Sequence, residues 1–267
     1  MINVNDVYAF LKEIAPLEMA MESDNVGFLV GTSTSDVTNI LVSLDITDEV
    51  ITEAIDNEVE LIVAHHPLFF SLNSVTDTDL NGKKIIRLLS NGISAICMHT
   101  NLDAARGGVN DALAVAVGIS DDSRQAEPLS DARKLDNGEI VSLGRLGYLK
   151  EACTMNEYLT VLKRTLRADG FKYYDAGRDV HKVAIASGSG SSQWSNAIKS
   201  GCDTFVSAEL KYHLFLEAKE LGINIIDGGH FFTENVVSDV LKDKLSLAFP
   251  DVNVMTSDVL DQTVKFF

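Results

Sequence analysis

Short apolar runs alternate with longer amphipathic segments along most of this 267-residue chain, and no other feature constrains the fold as strongly. Three of the runs, at residues 40–44, 61–64 and 93–98, are bounded by polar or structure-breaking residues, which is typical of buried strands. Segments with helical spacing separate the runs, and Thr47 and Thr154 are predicted N-caps of two helices. Strands that alternate with helices predict an α/β fold with mostly parallel strands.

The second half of the chain repeats the pattern of the first. Runs at residues 183–187, 204–209 and 223–226 correspond to those at 40–44, 61–66 and 93–98. Val63 aligns with Val206, and Ile96 aligns with Ile225. The aligned residues of the first pair lie further apart in the chain than those of the second pair, by about the length of the loop at residues 67–81. We therefore expect one strand–helix unit used twice, giving two pseudo-repeated α/β lobes with mixed, mostly parallel sheets.

A polar stretch at residues 120–138 is predicted to cross between the lobes, and a strand is predicted at residues 139–149. The predicted segments are a first lobe at residues 1–125, a second lobe at residues 126–229 and a C-terminal segment at residues 230–267.

The chain is acidic, with 39 Asp and Glu against 22 Lys and Arg and a formal net charge of −17. Non-specific nucleic-acid binding depends on a basic surface, so this charge argues against it. The sequence has no apolar run near the roughly 20 residues that a membrane span requires, and no signal-peptide pattern. Three widely spaced cysteines predict neither a disulfide framework nor a thiolate zinc site, and we expect a cytoplasmic protein.

Two adjacent histidines, His65 and His66, follow the apolar run at residues 61–64, and Pro67 then stops the strand. Consecutive strand residues point to opposite faces, but where the chain turns both rings could face one cavity or bind two neighbouring ions. Histidine is the most common metal ligand and has other uses, so the pair by itself fits either a ligand or a strand cap.

A second polar segment, from His99 to Asp103, also follows a predicted strand. Asp103 could bridge two ions, or it could serve as a turn or N-cap residue before Gly107 and Gly108. His99 could be a ligand, a hydrogen-bond partner of a ligand or a general base.

A third segment places His230 and Glu234 four residues apart, directly after Gly228 and Gly229. On a helix these two side chains share a face and could bind one ion together, or could form a surface pair at a helix start. The glycines allow the backbone to approach a site closely.

All these residues fall at predicted carboxyl ends of strands, where sites in α/β folds lie. Three histidines and two carboxylates without a thiolate suit Zn, Mn, Fe or Co. They exceed the three protein ligands of a typical catalytic zinc and suit a pair of ions about 3.5–4 Å apart, bridged by a carboxylate.

Two further motifs are open to two interpretations. Residues 187–192 (Ser-Gly-Ser-Gly-Ser-Ser) join a strand to a helix, and their amides could hold a phosphate. The segment has neither a P-loop lysine nor a full GxGxxG pattern, which favours a plain tight turn. Glu209 opens a helix, either as an acid of its first turn or as a contact to substrate.

Taken in order, these motifs resemble those of the NIF-three-like family, whose members are often described as GTP cyclohydrolase I type 2 homologues. The shared motifs are Asp24-Asn25-Val26-Gly27, Ala64-His65-His66-Pro67, His99-Thr100-Asn101-Leu102-Asp103, Gly107-Gly108-Val109-Asn110, Glu209-Leu210-Lys211-Tyr212-His213, and Gly229-His230 with Glu234. The resemblance covers nearly the whole chain. It implies a dinuclear metal site made by His65, His66, Asp103, His230 and Glu234, with His99 close by.

The resemblance also implies intertwined lobes with the metal site between them, and a C-terminal segment that returns to the first lobe. It implies a toroidal homohexamer whose metal sites face an interior cavity. Some family members carry an inserted middle domain, for which the crossing at residues 120–138 has no room, so this chain resembles the short form. A second departure is Ser207-Ala208 before Glu209, where the family typically has Thr-Gly.

Two functions fit these residues. The first is a dimetal hydrolase that opens the purine ring of GTP, or cleaves a phosphoester or amide bond, with His99 moving protons. The second is a non-catalytic, ring-forming protein that binds ions as a scaffold, sensor or metal chaperone. In the dinuclear interpretation His65 and His66 serve different ions, which would explain why two adjacent positions are both needed.

Overall fold

A computed structural model describes residues 1–121, 123–130, 133–138 and 140–265. The helices are α1 (Val4–Ile14), α2 (Asp48–Asp56), α3 (Leu80–Ser90), α4 (Thr100–Ala104), α5 (Val109–Ala116), α6 (Met155–Thr165), α7 (Trp194–Lys199), α8 (Tyr212–Leu221), α9 (His230–Glu234) and α10 (Val236–Ala248). The strands are β1 (Gly27–Val30), β2 (Asn39–Ser43), β3 (Leu61–Ala64), β4 (Ser94–Cys97), β5 (Glu127–Pro128), β6 (Arg145–Cys153), β7 (Lys172–Tyr174), β8 (Val180–Ile185), β9 (Thr204–Ser207), β10 (Asn224–Asp227) and β11 (Asn253–Thr256).

The chain forms two compact units. The first contains Met1–Leu102 and Ser238–Asp261, and the second contains Asp103–Val237 with the residues from Gln262 onward. These units divide the chain at other positions than the predicted segments 1–125, 126–229 and 230–267. Asp103 falls in the second unit because α5, which soon follows it, packs on β6, β8 and α9 of that unit.

The first unit is built on a five-stranded sheet in the order β1-β4-β3-β2-β11. Strands β2, β3, β4 and β11 are parallel, and β1 is antiparallel to β4. Every residue of β3 is buried, and Ile62 belongs to an apolar cluster with Val50 of α2 and Leu88 of α3. Thr47 caps α2 as predicted, since its side chain accepts a hydrogen bond from the amide of Val50.

The second unit is built on a six-stranded sheet in the order β5-β6-β8-β9-β10-β7. Strands β8, β9 and β10 are parallel, whereas β6 and β7 pair antiparallel with β8 and β10. Phe205 belongs to an apolar cluster with Trp194 of α7, and its neighbour Val206 to a different cluster with Leu162 of α6. Helices therefore cover both faces of this sheet, as expected for parallel strands. Thr154 forms the predicted cap of α6, in a capping box with Glu157.

The two sheets share a repeated core, which confirms the predicted α/β fold with two mixed, mostly parallel sheets. In each, three successive parallel strands lie side by side, and an antiparallel strand pairs with the third of them. The alignment of Val63 with Val206 fits this repeat. In the first sheet Val63 pairs with Ile96, and in the second sheet Val206 pairs with Ile226. The residue of the second sheet that corresponds to Ile96 is therefore Ile226, one position after the predicted Ile225.

The strand predicted at residues 139–149 is displaced toward the C-terminus. It starts at Arg145 and extends to Cys153, while residue 139 lies outside the described residues. A turn at Gly138, with φ of 88°, interrupts the chain before it. Among the residues that the structure describes, no helix is both long and apolar enough to cross a membrane.

Candidate metal centre

Three histidines of the first unit lie close together at the ends of two parallel strands. His65 and His66 follow β3, and their amides extend its pairing with β2 by donating to the carbonyls of Ser43 (3.2 Å) and Leu44 (2.9 Å). The ring centroids of His65 and His66 are 4.9 Å apart, and that of His99, which follows β4, is 5.2 Å and 5.6 Å from them. One ring nitrogen of each lies within 4.8 Å of the others, so the three imidazoles could hold a metal ion.

The orientation of the first two rings is fixed by hydrogen bonds at Nδ1. The Nδ1 atom of His65 lies 2.9 Å from the carbonyl oxygen of Met98, and Nδ1 of His66 lies 2.8 Å from Oδ1 of Asp45. Both partners are acceptors, so Nδ1 carries the proton and donates it. Metal-binding histidines characteristically show this pattern, which makes Nε2 the candidate ligand atom.

His99 is held by the buried carboxylate of Asp24, whose side chain is 3% exposed. Its Nδ1 atom lies 2.8 Å from Oδ1 and 3.0 Å from Oδ2 of Asp24. The amide and hydroxyl of Thr100 donate to the same carboxylate, as does the amide of Asn25 at 2.8 Å. Burial alone would raise the pKa of Asp24, but the hydrogen bonds from His99 and Thr100 keep it well below the usual range. Asp24 is therefore a carboxylate that fixes the proton of His99 on Nδ1.

Asp103 lies on α4, where a network of the second unit holds it. Ser187 Oγ donates to Oδ1 of Asp103 at 3.3 Å. The side chain of Asn110 donates to the carbonyl oxygen of Asp103 at 3.1 Å and accepts from the amide of Ser187 at 2.9 Å. Asn110 and Ser187 therefore fix both the backbone and the side chain of this predicted ligand.

The carboxyl end of α4 is fixed by Arg145, which is 1% exposed. Its Nη2 atom donates to the carbonyls of Ala104 (3.1 Å) and Ala105 (3.3 Å). Its Nε atom donates to the carboxylate of Asp111, which balances the buried charge.

His230 and Glu234 share one face of α9, as their spacing predicts. The Nε2 atom of His230 lies 2.9 Å from Oε2 of Glu234, whose side chain is 5% exposed. On the other side of the ring, Nδ1 lies 2.8 Å from Oε1 of Glu209. Glu209 has a φ of 53°, a strained backbone conformation for a non-glycine residue, which brings its carboxylate to the ring.

The glycine of the Ser187-Gly188 turn allows this pair to form. Gly188 has a φ of 54°, and a Cβ atom there would lie 1.8 Å from Oε1 of Glu234 and 3.1 Å from Nε2 of His230. The turn uses its own amides: that of Gly188 donates to Thr233 Oγ1 at 3.1 Å, and that of Gly190 donates to the carbonyl of Gly188 at 2.8 Å. This supports the tight turn over an anion site.

Divalent zinc, iron, manganese and cobalt ions accept imidazole and carboxylate ligands. The three histidines of the first unit and the His230–Glu234 pair both offer ligands of this type. The nearest thiol in sequence, Cys97, is fully buried in β4, and burial raises its pKa to about 12. A thiol in this state is a poor ligand, because only the thiolate binds metal.

The sequence model of the family Duf34/NIF3 (NGG1p interacting factor 3) matches residues 2–262. The chain belongs to the Duf34/NIF3 family. It is 35% identical over 250 residues to the GTP cyclohydrolase 1 type 2 homolog of Clostridium perfringens, covering 91% of this chain and 93% of that protein. That family member thus has a similar length, in line with the short form.

Two solved structures have the same fold as this chain. A Bacillus cereus protein related to NIF3 matches with a TM-score of 0.91 and 24% identity, covering 100% of this chain and 99% of that one. A hypothetical protein of Staphylococcus aureus matches with a TM-score of 0.89 and 26% identity, covering 99% of both chains.

Three carboxylates hold the imidazoles by hydrogen bonds that the sequence alone did not predict. Asp45 could have been suspected, because it directly follows β2, the neighbour of the strand that ends at His65. Asp24 is 75 positions from His99, and the only signal for it in the sequence is its place in the Asp24–Gly27 motif. Glu209 precedes α8, which begins at Tyr212, so the prediction that it is an acid of the first turn is wrong. Its carboxylate contacts His230, and the alternative of a substrate contact stays a prediction.

Proposed function

We propose that this protein is a metal-dependent hydrolase that binds two divalent ions per subunit through His65, His66, Asp103, His230 and Glu234. The observation that carries the proposal is the anchoring of the imidazoles. His66 is held at Nδ1 by Asp45 and His230 by Glu209, which makes Nε2 the candidate ligand atom in each. His65 and His66 belong to the first unit, and Asp103, His230 and Glu234 belong to the second.

The ions, when bound, would act as Lewis acids on water and on a substrate oxygen. The chain itself would move protons through His99. Because Asp24 keeps the proton of that ring on Nδ1, Nε2 can accept a proton from an attacking water and return it to a leaving group. Phe70 packs edge-on to His99, with ring centroids 5.9 Å apart, and would shield one side of that ring from bulk water.

The names of two relatives support a substrate class. The Clostridium perfringens relative is named a GTP cyclohydrolase 1 type 2 homolog, as is a 32% identical protein of Clostridium acetobutylicum. We extend that activity to this chain: hydrolytic opening of the purine ring of GTP with release of formate. We further propose that it acts in the cytoplasm as a toroidal homohexamer, whose mass would be about six times the 29.0 kDa of one chain.

The direct test combines elemental analysis of the purified protein with a formate assay on GTP. We expect about two ions per chain and formate release that Glu234→Ala abolishes. Glu151→Ala, which removes an exposed carboxylate from β6, should leave both unchanged. Ion binding without turnover on GTP or on phosphoester and amide substrates would replace this proposal with the non-catalytic one, an ion-binding scaffold, sensor or chaperone.

A further inference from the structure

The second unit contains an aromatic pocket, which lies beside the segment that follows Glu209 in the chain. Its volume is about 580 Å³, which is within the range typical of small-molecule sites. It is lined by Phe171, Lys172, Tyr173, Leu210, Tyr212 and Phe215. Four of these six side chains are aromatic, and three belong to the Glu209–Phe215 segment, whose role the metal centre does not explain.

The aromatic pocket has an apolar floor and exposed aromatic walls. Leu210 is buried, and Phe171 and Phe215 pack partly against the two apolar clusters of the second sheet. Tyr173 on β7 is 47% exposed, and Tyr212 at the start of α8 is 77% exposed. Aromatic rings that remain exposed around a concavity offer stacking surfaces to a planar ligand.

One buried carboxylate ties the aromatic pocket to the His230–Glu234 pair. Asp227 is 4% exposed, and its Oδ2 atom accepts from the amide of Leu210 at 3.1 Å and lies 2.8 Å from Nζ of Lys172. Its Oδ1 atom accepts from the amide of Gly229 at 3.2 Å, and Gly229 is the N-cap of α9, which begins at His230. The position of the pocket relative to α9 is therefore set within the second unit.

We propose that the aromatic pocket is a separate binding site for a planar heteroaromatic ligand, such as a purine nucleoside, which stacks on Tyr212 and Tyr173. Lys172 supplies a hydrogen-bond donor for a ring oxygen or nitrogen, and Asp227 holds its ammonium group in place. A purine presents both a π face and ring acceptors, which matches this combination of side chains. The pocket lining contains none of the five proposed metal ligands, so binding there does not depend on turnover.

The test is equilibrium binding of guanosine to the purified full chain, with ribose as the ligand that lacks the base. Guanosine should bind and ribose should not. Tyr212→Ala should weaken guanosine binding by about tenfold or more, which is the usual effect of removing a stacking ring. Tyr212→Phe keeps the ring and should retain binding. Tyr148→Ala, which removes an exposed tyrosine on β6, is the matched control and should bind as the parent protein does.

The outcomes separate this proposal from the hydrolase proposal. If guanosine binding depends on Tyr212 while GTP yields no formate, the pocket assignment stands and the hydrolase fails. If GTP is hydrolysed and Tyr212→Ala leaves guanosine binding unchanged, the pocket assignment alone is overturned. Another copy of the chain could occupy the pocket, and sedimentation of Tyr212→Ala tests this. A smaller assembly with unchanged guanosine binding would make this face a contact between copies and would also overturn the proposal.

Discussion

The Oδ1 atom of Asp24 lies 2.8 Å from the Nδ1 atom of His99, although the two residues are 75 positions apart in the chain. The contact sets the tautomer of His99, because a buried carboxylate at Nδ1 can only accept. It also gives Asp24 a function that is distinct from structural support, since the ring would otherwise be free to carry its proton on Nε2.

Asp24→Asn should therefore lower formate release from GTP by about 10- to 100-fold, the usual cost of losing a partner that orients a site histidine. An asparagine amide can donate to Nδ1 and so favour the opposite tautomer. The measurement is kcat and KM with metal content determined in parallel. Asp56→Asn, an exposed carboxylate on α2, is the control. Equal rates for the two variants would show that His99 does not need this orientation.

Gly188→Ala should reduce the bound metal and the thermal stability, because its Cβ atom would lie 1.8 Å from Oε1 of Glu234. Gly177→Ala is a matched control: its φ of 72° imposes a similar strain, but no atom lies within 4 Å of the added Cβ. Each variant should lose about 1–2 kcal/mol from backbone strain. Only Gly188→Ala should also lose metal, which elemental analysis measures. If both variants retain metal equally, the close approach of Glu234 to the turn is not needed for the site.

Arg145→Met should lower the free energy of unfolding by about 3–5 kcal/mol, because it leaves Asp111 without its buried partner. The carbonyls of Ala104 and Ala105 would lose their donor as well. Arg87→Met breaks the exposed ion pair with Asp48 and should cost no more than about 1 kcal/mol. Urea unfolding followed by circular dichroism measures both. Similar losses in the two variants would mean that Arg145 is not an essential support of α4.

The two buried thiols of the native protein, Cys97 and Cys202, should react slowly with a disulfide reagent at pH 8. Burial raises the pKa of Cys97 to about 12 and that of Cys202 to about 11, and it also raises the pKa of Cys153. A raised thiol pKa leaves little reactive thiolate at pH 8. In denaturant, where thiols have an ordinary pKa, all three should be labelled quickly. Rapid labelling of Cys97 or Cys202 in the native protein would contradict the burial of these two residues.

The same shifts make the stability depend on pH in the alkaline range. A folded thiol with a raised pKa holds its proton more tightly than the unfolded chain does, so its contribution is complete below the unfolded pKa of about 8.5 and is lost as pH rises toward 12. The unfolding free energy should fall between pH 9 and pH 11, and less steeply in Cys97→Ala. An identical slope in the two proteins would exclude Cys97 as a cause.

The sequence predicted those features of the fold and the site that arise from local patterns. The apolar run before His65 fixed a strand, and the i, i+4 spacing of His230 and Glu234 placed them on one helical face. Register was less accessible: Ile96 corresponds to Ile226 and not to Ile225, because neighbouring isoleucines look alike in sequence but pair differently in a ladder.

Contacts between residues that lie far apart in the chain could not be predicted from local sequence patterns. Asp24 and Asp45 contact His99 and His66 only in the folded sheet, because the paired residues lie 75 and 21 positions apart in the chain. The conformation of Glu209 is equally hidden, because a positive φ at a glutamate runs against the local preference of that residue. Such departures from local preference are expected where a site demands them.

The burial of every residue of β3 has a consequence for how such a protein can change over generations. The apolar strand ends at Ala64 and the proposed ligands begin at His65, so different side chains pack the sheet and form the proposed site. Substitutions at the proposed ligands change that site and leave the residues that pack the sheet unaltered. Descendants of one ancestral scaffold can in this way diverge in activity while their architecture is inherited almost unchanged.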